Sequence, residues 1–303
     1  MRYSLDDFEN YIKNNNIENL NEETLAIIEK IASEVGAPEY SKTPQFNKLR
    51  KKKFNEFNDN EWNTIRQFQA TEFIKREGLD INLFNVRKCL NVLTDKNYDT
   101  ILEKISNEFN EVISTKTPND VLVLCNLFYE ICSQNILYSS LCAKLYTDLI
   151  NISENLLNIV TKNIELSKKQ IDEITYIDPD ENYDKFCENN KLNEKIRSQF
   201  TFFTNLMKND VISYTFIYNI IEYLFTKLHY LIKEGNKKNE LDEISELIYI
   251  LVSNSFNKIR DNDNKKYDYI FKSVEEISRF KVKTTPGVSN KCIFKHMDLL
   301  DEL

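Results

Sequence analysis

The sequence predicts an all-α protein, on three observations. Only 4 glycines and 5 prolines occur in 303 residues, whereas sheet-rich folds and phosphate-binding α/β folds need many tight turns and therefore many such residues. Apolar residues recur at spacings of three and four along most of the chain, which is the period of a helix face and not of a strand. Hydrophobic residues make up 41% of the chain, enough for a globular core.

The first predicted helix follows Asn21, which has the side chain of a helix N-cap, and ends at Gly36. Residues 37–60 then hold two of the five prolines and the densest run of charge, so they predict a linker. We therefore expect an N-terminal segment with one helix and a basic linker over residues 1–60, and a helical domain over residues 61–303.

Helical periodicity is nearly continuous from residue 61 onward. Asp80, Asp95 and Pro118 are predicted to open three successive helices, and proline suits the first position of a helix. The remaining helical stretches cover residues 136–160, 161–175, 192–207, 211–228, 241–252, 266–278 and 288–301. The helices come in pairs of about 35–45 residues, the length of a HEAT-type unit. This pattern predicts a HEAT-like helical-hairpin solenoid of about five repeats.

Charge and hydropathy exclude several classes of protein. The chain has 40 basic and 48 acidic residues, a net charge of −8, so a nucleic-acid contact would need a local basic patch. No apolar run approaches the length of about 18 residues that predicts a membrane span. The charged first ten residues do not resemble a secretory signal. We expect a cytoplasmic monomer with free thiols and no membrane partner.

The sequence offers little for catalysis or for metal binding. His296 follows Cys292 by four residues, so the two side chains share a helix face, but a zinc site wants four ligands. His229 lies on an apolar helix, which favours packing over catalysis. No nucleophile, base and orienting group come together. We therefore predict no catalytic residue, no metal ligand and no cofactor. A helical enzyme is the alternative of another class, which a deep pocket with converging polar groups would favour.

Two features near the linker suggest binding. Five cations lie within seven residues, and Phe54 and Phe57 follow them. The cations are Lys48, Arg50, Lys51, Lys52 and Lys53. They predict either contact with RNA phosphates, with aromatic stacking beside it, or a solvated linker. Trp62 is the only tryptophan and is either a cap over the first helices or an exposed anchor for a partner.

Four stretches of the chain resemble, in order, helical parts of the middle domain of eukaryotic translation initiation factor 4G. They are VRKCLNVLTDKNYDTILEKI (86–105), FYEICSQNILYSSLCAKLY (128–146), FFTNLMKNDVISYTFIYNIIEYLF (202–225) and VSNKCIFKHMDLLDEL (288–303). The first stretch carries the family's opening pattern at Val86, Arg87, Leu90, Asn91, Leu93, Thr94, Tyr98 and Asp99. Thr204 stands where the family has a glycine. The resemblance covers roughly residues 80–303.

The resemblance implies a translation initiation scaffold that binds a DEAD-box RNA helicase, initiation factor 4A, and also contacts RNA. It favours the role of Trp62 as an anchor for a partner, because the family's helicase-binding surface includes an aromatic arm before its first repeat. It also implies helicase contacts in the loop after the first matched helix and at the end of a later one. These residues are Thr94, Asp95, Lys96, Asn97, Lys208 and Asn209.

The N-terminal segment RYSLDDF (2–8) resembles the segment that recognises the cap-binding protein, initiation factor 4E. Tyr3 is in place, Phe8 stands at the leucine position, and Glu9 departs from the expected hydrophobic residue. In a helix, Tyr3, Leu5 and Phe8 would form an anchor set for a groove. The resemblance implies binding of the cap-binding protein; the alternative is an ordinary amphipathic turn.

Other functions fit the same predicted fold. Relatives of this domain serve mRNA decay, splicing, the nuclear cap-binding complex and the regulation of poly(A)-binding protein. A HEAT adaptor unrelated to RNA is a further alternative. The leading prediction is a compact initiation scaffold.

Overall fold

A computed structural model describes residues 21–35 and 76–303, and the two parts are treated separately. The first part is one helix, α1 (Glu22–Val35). The Asn21 side chain accepts a hydrogen bond from the backbone N–H of Thr24 over 2.9 Å, which confirms the predicted N-cap.

Residues 76–303 form ten α-helices and two short 3₁₀ turns, with no strand among the described residues. This confirms the predicted all-α class. The helices are α2 (Leu79–Asn91), α3 (Tyr98–Thr115), α4 (Pro118–Gln134), α5 (Ser139–Leu149), α6 (Glu154–Asp172), α7 (Tyr183–Lys208), α8 (Tyr214–Glu234), α9 (Lys238–Asn262), α10 (Asn264–Ser278) and α11 (Asn290–Glu302). The 3₁₀ turns are Asp95–Asn97 and Ile150–Ile152.

Five of the ten helices in residues 76–303 begin behind a side-chain cap, and several starts differ from the prediction; α7, for example, begins at Tyr183 rather than at residue 192. Pro118 opens α4 as predicted, behind a reciprocal cap between Thr117 and Asp120. Asp95 does not open α3; it opens a 3₁₀ turn, and α3 begins at Tyr98. The predicted helix over residues 136–160 is divided, because Ser153 adopts an extended backbone between α5 and α6.

Successive helices pack in pairs and the pairs pack on one another. Within residues 76–303, α2 packs on α3, α4 on α5, α8 on α9, and α10 on α11. Further contacts join α4 to α6 and α7, α7 to α9, and α9 to α11. One hydrophobic core therefore runs from Val86 to Leu299. Near its middle, Phe128 stacks on Tyr146 at 5.3 Å between ring centroids, and Phe202 meets the same tyrosine edge-on.

Helix α8 sets the distance between two ends of the helical domain. It begins just after the turn that ends α7, and it ends at Gly235, which has a left-handed backbone with φ of 76°. A helix of 21 residues is about 30 Å long at 1.5 Å per residue. Loops at its two ends are thus well separated. None of the helices in the described ranges combines the length and apolarity that a bilayer crossing requires.

Candidate partner-binding site

The described residues include two of the groups that the resemblance implicates in helicase binding. Thr94, Asp95, Lys96 and Asn97 form the connection between α2 and α3, and Lys208 and Asn209 end α7. The other predicted binding residues lie outside the described residues. They are Tyr3, Leu5, Phe8, Lys48, Arg50, Lys51, Lys52, Lys53 and Trp62.

The α2–α3 connection is a turn fixed by one asparagine. The Asn97 side chain accepts from the backbone N–H of Thr94 over 2.7 Å and donates to the carbonyl of Val92 over 2.6 Å. These two bonds satisfy the Thr94 N–H and the Val92 carbonyl, backbone groups that lie beyond the end of α2. Asp95 and Lys96 at the tip are exposed. The turn therefore presents one carboxylate and one ammonium group on a rigid frame.

The end of α7 makes a tight turn of the Schellman type. The N–H of Asp210 donates to the carbonyl of Met207, and the N–H of Val211 donates to the carbonyl of Leu206, each over 3.0 Å. Asp210 occupies the left-handed position with φ of 61°, where glycine is usual. Lys258 of α9 donates to the Asp210 carboxylate and to the Met207 carbonyl. An ammonium group at a helix C-terminus is favourable, and here it also holds the strained aspartate.

Lys208 and Asn209 are tied to neighbouring helices. The Lys208 ammonium donates to the side-chain oxygen of Asn254 over 2.9 Å, and partial burial lowers the pKa of Lys208. The Asn209 side-chain amide donates to the Thr147 hydroxyl over 3.4 Å. Both side chains therefore have defined positions.

The last turns of α5 join these two groups. The Tyr98 hydroxyl, at the start of α3, donates to the Asp148 carboxylate over 2.6 Å, and the Lys144 ammonium lies 4.1 Å from the centroid of the Tyr98 ring. Burial and the bond to Asp148 raise the pKa of Tyr98 well above its usual range. Thr147, the residue before Asp148 on α5, accepts a hydrogen bond from the Asn209 side chain. The last turn of α5 thus contacts both the first residue of α3, directly after the α2–α3 turn, and the residue that ends α7.

We call this surface the loop edge. It consists of the Thr94–Asn97 connection, the end of α5 from Lys144 to Leu149, the Ile150–Ile152 turn and the Lys208–Val211 turn. A cleft of about 500 Å³ opens in it. Its walls are Thr147, Ile150, Asn151, Glu154, Leu157, Asn209, Asp210 and Val211.

Sequence reasoning missed most of the residues that assemble the loop edge. Asp148, Thr147 and Lys258 do not stand out in the sequence, because each acts through a contact with a distant segment. Asp210 carried one weak signal, since an aspartate directly after a helix end is compatible with a left-handed residue. The edge mixes cations and carboxylates with amide groups, a chemistry suited to hydrogen bonding and ion pairing with a protein partner.

The predicted Cys292–His296 pair shares one face of α11, as expected. The His296 Nδ1 atom lies 3.8 Å from the Cys292 Sγ atom and donates to the Cys292 carbonyl oxygen over 2.8 Å. Both side chains are buried, and burial raises the pKa of the thiol to about 12. No group of three metal-ligating side chains occurs in residues 21–35 or 76–303. All six cysteines lie in these ranges, and each is a free thiol.

No protein-family model matches the sequence, and no curated protein matches it at a significant level.

Proposed function

We propose that the chain is a translation initiation scaffold that binds a DEAD-box RNA helicase of the initiation factor 4A type through the loop edge. The observation that carries the proposal is the bridge formed by α5. The two groups implicated by the resemblance are separated by more than a hundred residues, yet Asn209 of the second group bonds to Thr147, and the next residue, Asp148, bonds to Tyr98, which directly follows the first group. A partner could therefore contact both groups at once.

The proposal includes a HEAT-like solenoid of about five repeats as its frame. In support, residues 76–303 hold ten helices, which make five successive pairs. Four of these pairs pack internally as hairpins do. Helices α6 and α7 do not pack closely on each other; one hydrogen bond of 3.3 Å joins Gln170 to Gln199, and Asn189 of α7 donates to the Thr175 carbonyl in the loop after α6. In such a frame, loops on one edge offer an extended binding surface.

The proposed mechanism is tethering combined with a population shift. A peptide that binds the cap-binding protein, a basic linker that contacts RNA and a helicase platform on one chain would raise the helicase concentration near the mRNA cap. The platform would favour the closed arrangement of the helicase lobes by binding it more tightly than the open one. Tyr3, Leu5, Phe8, Trp62 and the cations at residues 48–53 keep their predicted roles in this scheme.

The test is calorimetric titration of the full chain with initiation factor 4A, with the ATPase rate followed in parallel. The charge-reversed variant Asp95→Lys/Lys96→Glu should bind at least tenfold more weakly, because both exposed groups would then repel their partners at the interface. The net charge of the chain is unchanged by this exchange.

A matched control lies about two helical turns further along the chain, on α3. Glu103 and Lys104 are exposed neighbours on α3, and Glu103→Lys/Lys104→Glu repeats the same exchange away from the loop edge. Helicase binding by this control should equal that of the parent. Absence of helicase binding by the parent chain would overturn the proposal and favour a related adaptor for another partner. Equal weakening in both variants would remove the loop edge as the site.

A further inference from the structure

One stretch of this acidic chain is strongly basic. Residues 277–297 contain five cations and no aspartate or glutamate, in a chain with a net charge of −8. The cations are Arg279, Lys281, Lys283, Lys291 and Lys295. The stretch covers the loop between α10 and α11 and the first two turns of α11. Such a concentration of one sign creates a local field opposite to that of the whole protein.

A second basic segment lies directly beside this loop. A Cβ atom at Gly287 would stand only 2.0 Å from the Ile232 carbonyl oxygen and 3.1 Å from the Gly235 Cα atom. The loop between α10 and α11 is therefore in backbone contact with the end of α8. Three more lysines lie here: Lys233 in the last turn of α8, Lys237 between the helices and Lys238 at the start of α9.

The carboxylates nearby are mostly occupied by other cations or by hydroxyl groups. Glu234 pairs with Lys237 over 2.9 Å, Glu275 with Arg279 over 2.6 Å, and Glu246 with Lys295 over 3.0 Å. Asp242 accepts from the Ser289 hydroxyl, which leaves Glu240 as the remaining carboxylate of the first turn of α9.

Five lysines at this end have no ion pair among the residues that the structure describes. They are Lys233, Lys238, Lys281, Lys283 and Lys291, and we call them the lysine end. All five are exposed. Exposed lysines without partners keep their charge available for an external anion.

Exposed aromatic rings accompany these lysines. Phe294 is 61% exposed and lies one turn after Lys291 on α11, close enough for its ring to share a ligand with that lysine. Tyr230 is 52% exposed and lies one turn before Lys233 on α8. The Tyr230 hydroxyl donates to Glu234, and the Lys227 ammonium lies 6.0 Å from the centroid of the Tyr230 ring, so Phe294 offers the more accessible ring face. Cations beside an exposed ring are the elements of single-strand nucleic-acid binding, in which lysines contact phosphates and bases stack on the rings. An acidic protein segment would need the lysines but not the rings.

We propose that the lysine end binds single-stranded RNA, with its lysines on the phosphates and Phe294 beneath a base. Its lysines are other residues than the predicted linker cations at residues 48–53, and it lies at the opposite end of α8 from the loop edge. The choice of RNA over single-stranded DNA rests on the proposed function. The choice of a single-stranded nucleic acid over an acidic protein rests on the lysines and the exposed ring.

The test is fluorescence anisotropy with a labelled oligo(U) of about twelve nucleotides, measured across a salt series without helicase. The full chain is used in two forms, as it is and with the five cations at residues 48–53 changed to glutamine. In both forms, replacing Lys233, Lys238, Lys281 and Lys283 by glutamine should weaken binding at least tenfold. The slope of log affinity against log salt should fall by about 3, since each single-strand phosphate contact contributes about 0.7.

The matched control removes four lysines elsewhere, by Lys88→Gln, Lys104→Gln, Lys116→Gln and Lys162→Gln on or beside α2, α3 and α6. It has the same net charge and should lose little affinity and little slope. Phe294→Ala should weaken binding at least fivefold without changing the slope, because stacking does not release counterions. Equal losses in the lysine-end and control variants would overturn the proposal. Tighter binding of polyglutamate than of oligo(U) would also overturn it and favour an acidic protein partner. Failure of helicase binding leaves these outcomes unaffected.

Discussion

At the scale of single residues, His296 shows how burial fixes a protonation state. Its side chain is 1% exposed, its Nδ1 atom donates to the Cys292 carbonyl, and its Nε2 atom has no hydrogen-bond partner within the described ranges 21–35 and 76–303. Burial lowers the pKa of this imidazole to about 4. The folded protein therefore holds the neutral form, with the proton on Nδ1.

We predict that this histidine makes the protein less stable as the pH falls from about 6.5 to about 4. In that window the unfolded chain takes up a proton on the imidazole that the folded protein does not, so acid favours unfolding. The stability that depends on the neutral imidazole is fully present above pH 6.5. It amounts to about 3 kcal/mol at 1.36 kcal/mol per pKa unit. Urea unfolding at several pH values measures it.

The variant His296→Asn isolates this contribution. Asparagine can keep the bond to the carbonyl four residues earlier, as Asn126 and Asn163 do to Leu122 and Ile159, but it does not titrate. The variant should be less stable than the parent at neutral pH and should lose much of the pH dependence in this window. His229→Asn, at the half-buried histidine of α8, should retain most of it. An unchanged pH profile in His296→Asn would contradict the prediction.

At the scale of helices and their connections, the close approach at Gly287 can be tested by adding a methyl group there. This glycine allows the loop before α11 to reach the end of α8, and a methyl group there would stand 2.9 Å from the Ile232 carbonyl carbon as well as on its oxygen. Gly287→Ala should lower the free energy of unfolding by about 2–3 kcal/mol, the scale of an overpacked core site. It should also weaken RNA binding, because the two basic loops must move apart.

Gly235→Ala is the matched control for that prediction. Gly235 has a left-handed backbone but nothing within 4 Å of an added Cβ atom. Its replacement should cost about 1–2 kcal/mol from backbone strain alone and leave RNA binding nearly unchanged. Thermal unfolding and the anisotropy assay distinguish the two variants. A similar loss of RNA affinity in both would show that the close approach at Gly287 does not organise the lysine end.

At the scale of the whole helical domain, the two proposed surfaces lie at opposite ends of α8. The loop edge includes the turn before its first residue, Tyr214, and the lysine end includes residues at its last turn and just beyond. Sites so far apart with no shared partners usually act independently. The domain could then hold a helicase at one end and RNA at the other.

We therefore predict that each set of substitutions affects one ligand only. The four lysine-end substitutions should leave helicase affinity within twofold of the parent, and Asp95→Lys/Lys96→Glu should leave oligo(U) affinity within twofold. Calorimetry and anisotropy on the same protein preparations measure both. A joint loss would mean that the surfaces are coupled or that one partner covers both ends.

The sequence by itself determined the helical class and most helix positions. Apolar spacing and caps depend on residues within a few positions of one another, as at Asn21 and Pro118, so they can be inferred locally. Helix α3 begins at Tyr98 and not at Asp95, because the Asn97 side chain donates a hydrogen bond to the carbonyl of Val92, five residues earlier. In the resembling pattern at residues 86–99, Val86, Leu90, Leu93 and Tyr98 are buried, so much of that pattern specifies packing.

Only the tertiary structure decided which distant residues share a surface. Tyr98 meets Asp148 across 50 positions, Lys258 reaches Asp210 across 48, and the Gly287 loop rests on Ile232. These partners are chosen by how whole helices pack, and packing depends on the shape of both faces rather than on any local pattern. The sequence thus identified the helices and several of the exposed turns, while the stacking of the helices joined those turns into the loop edge and the lysine end.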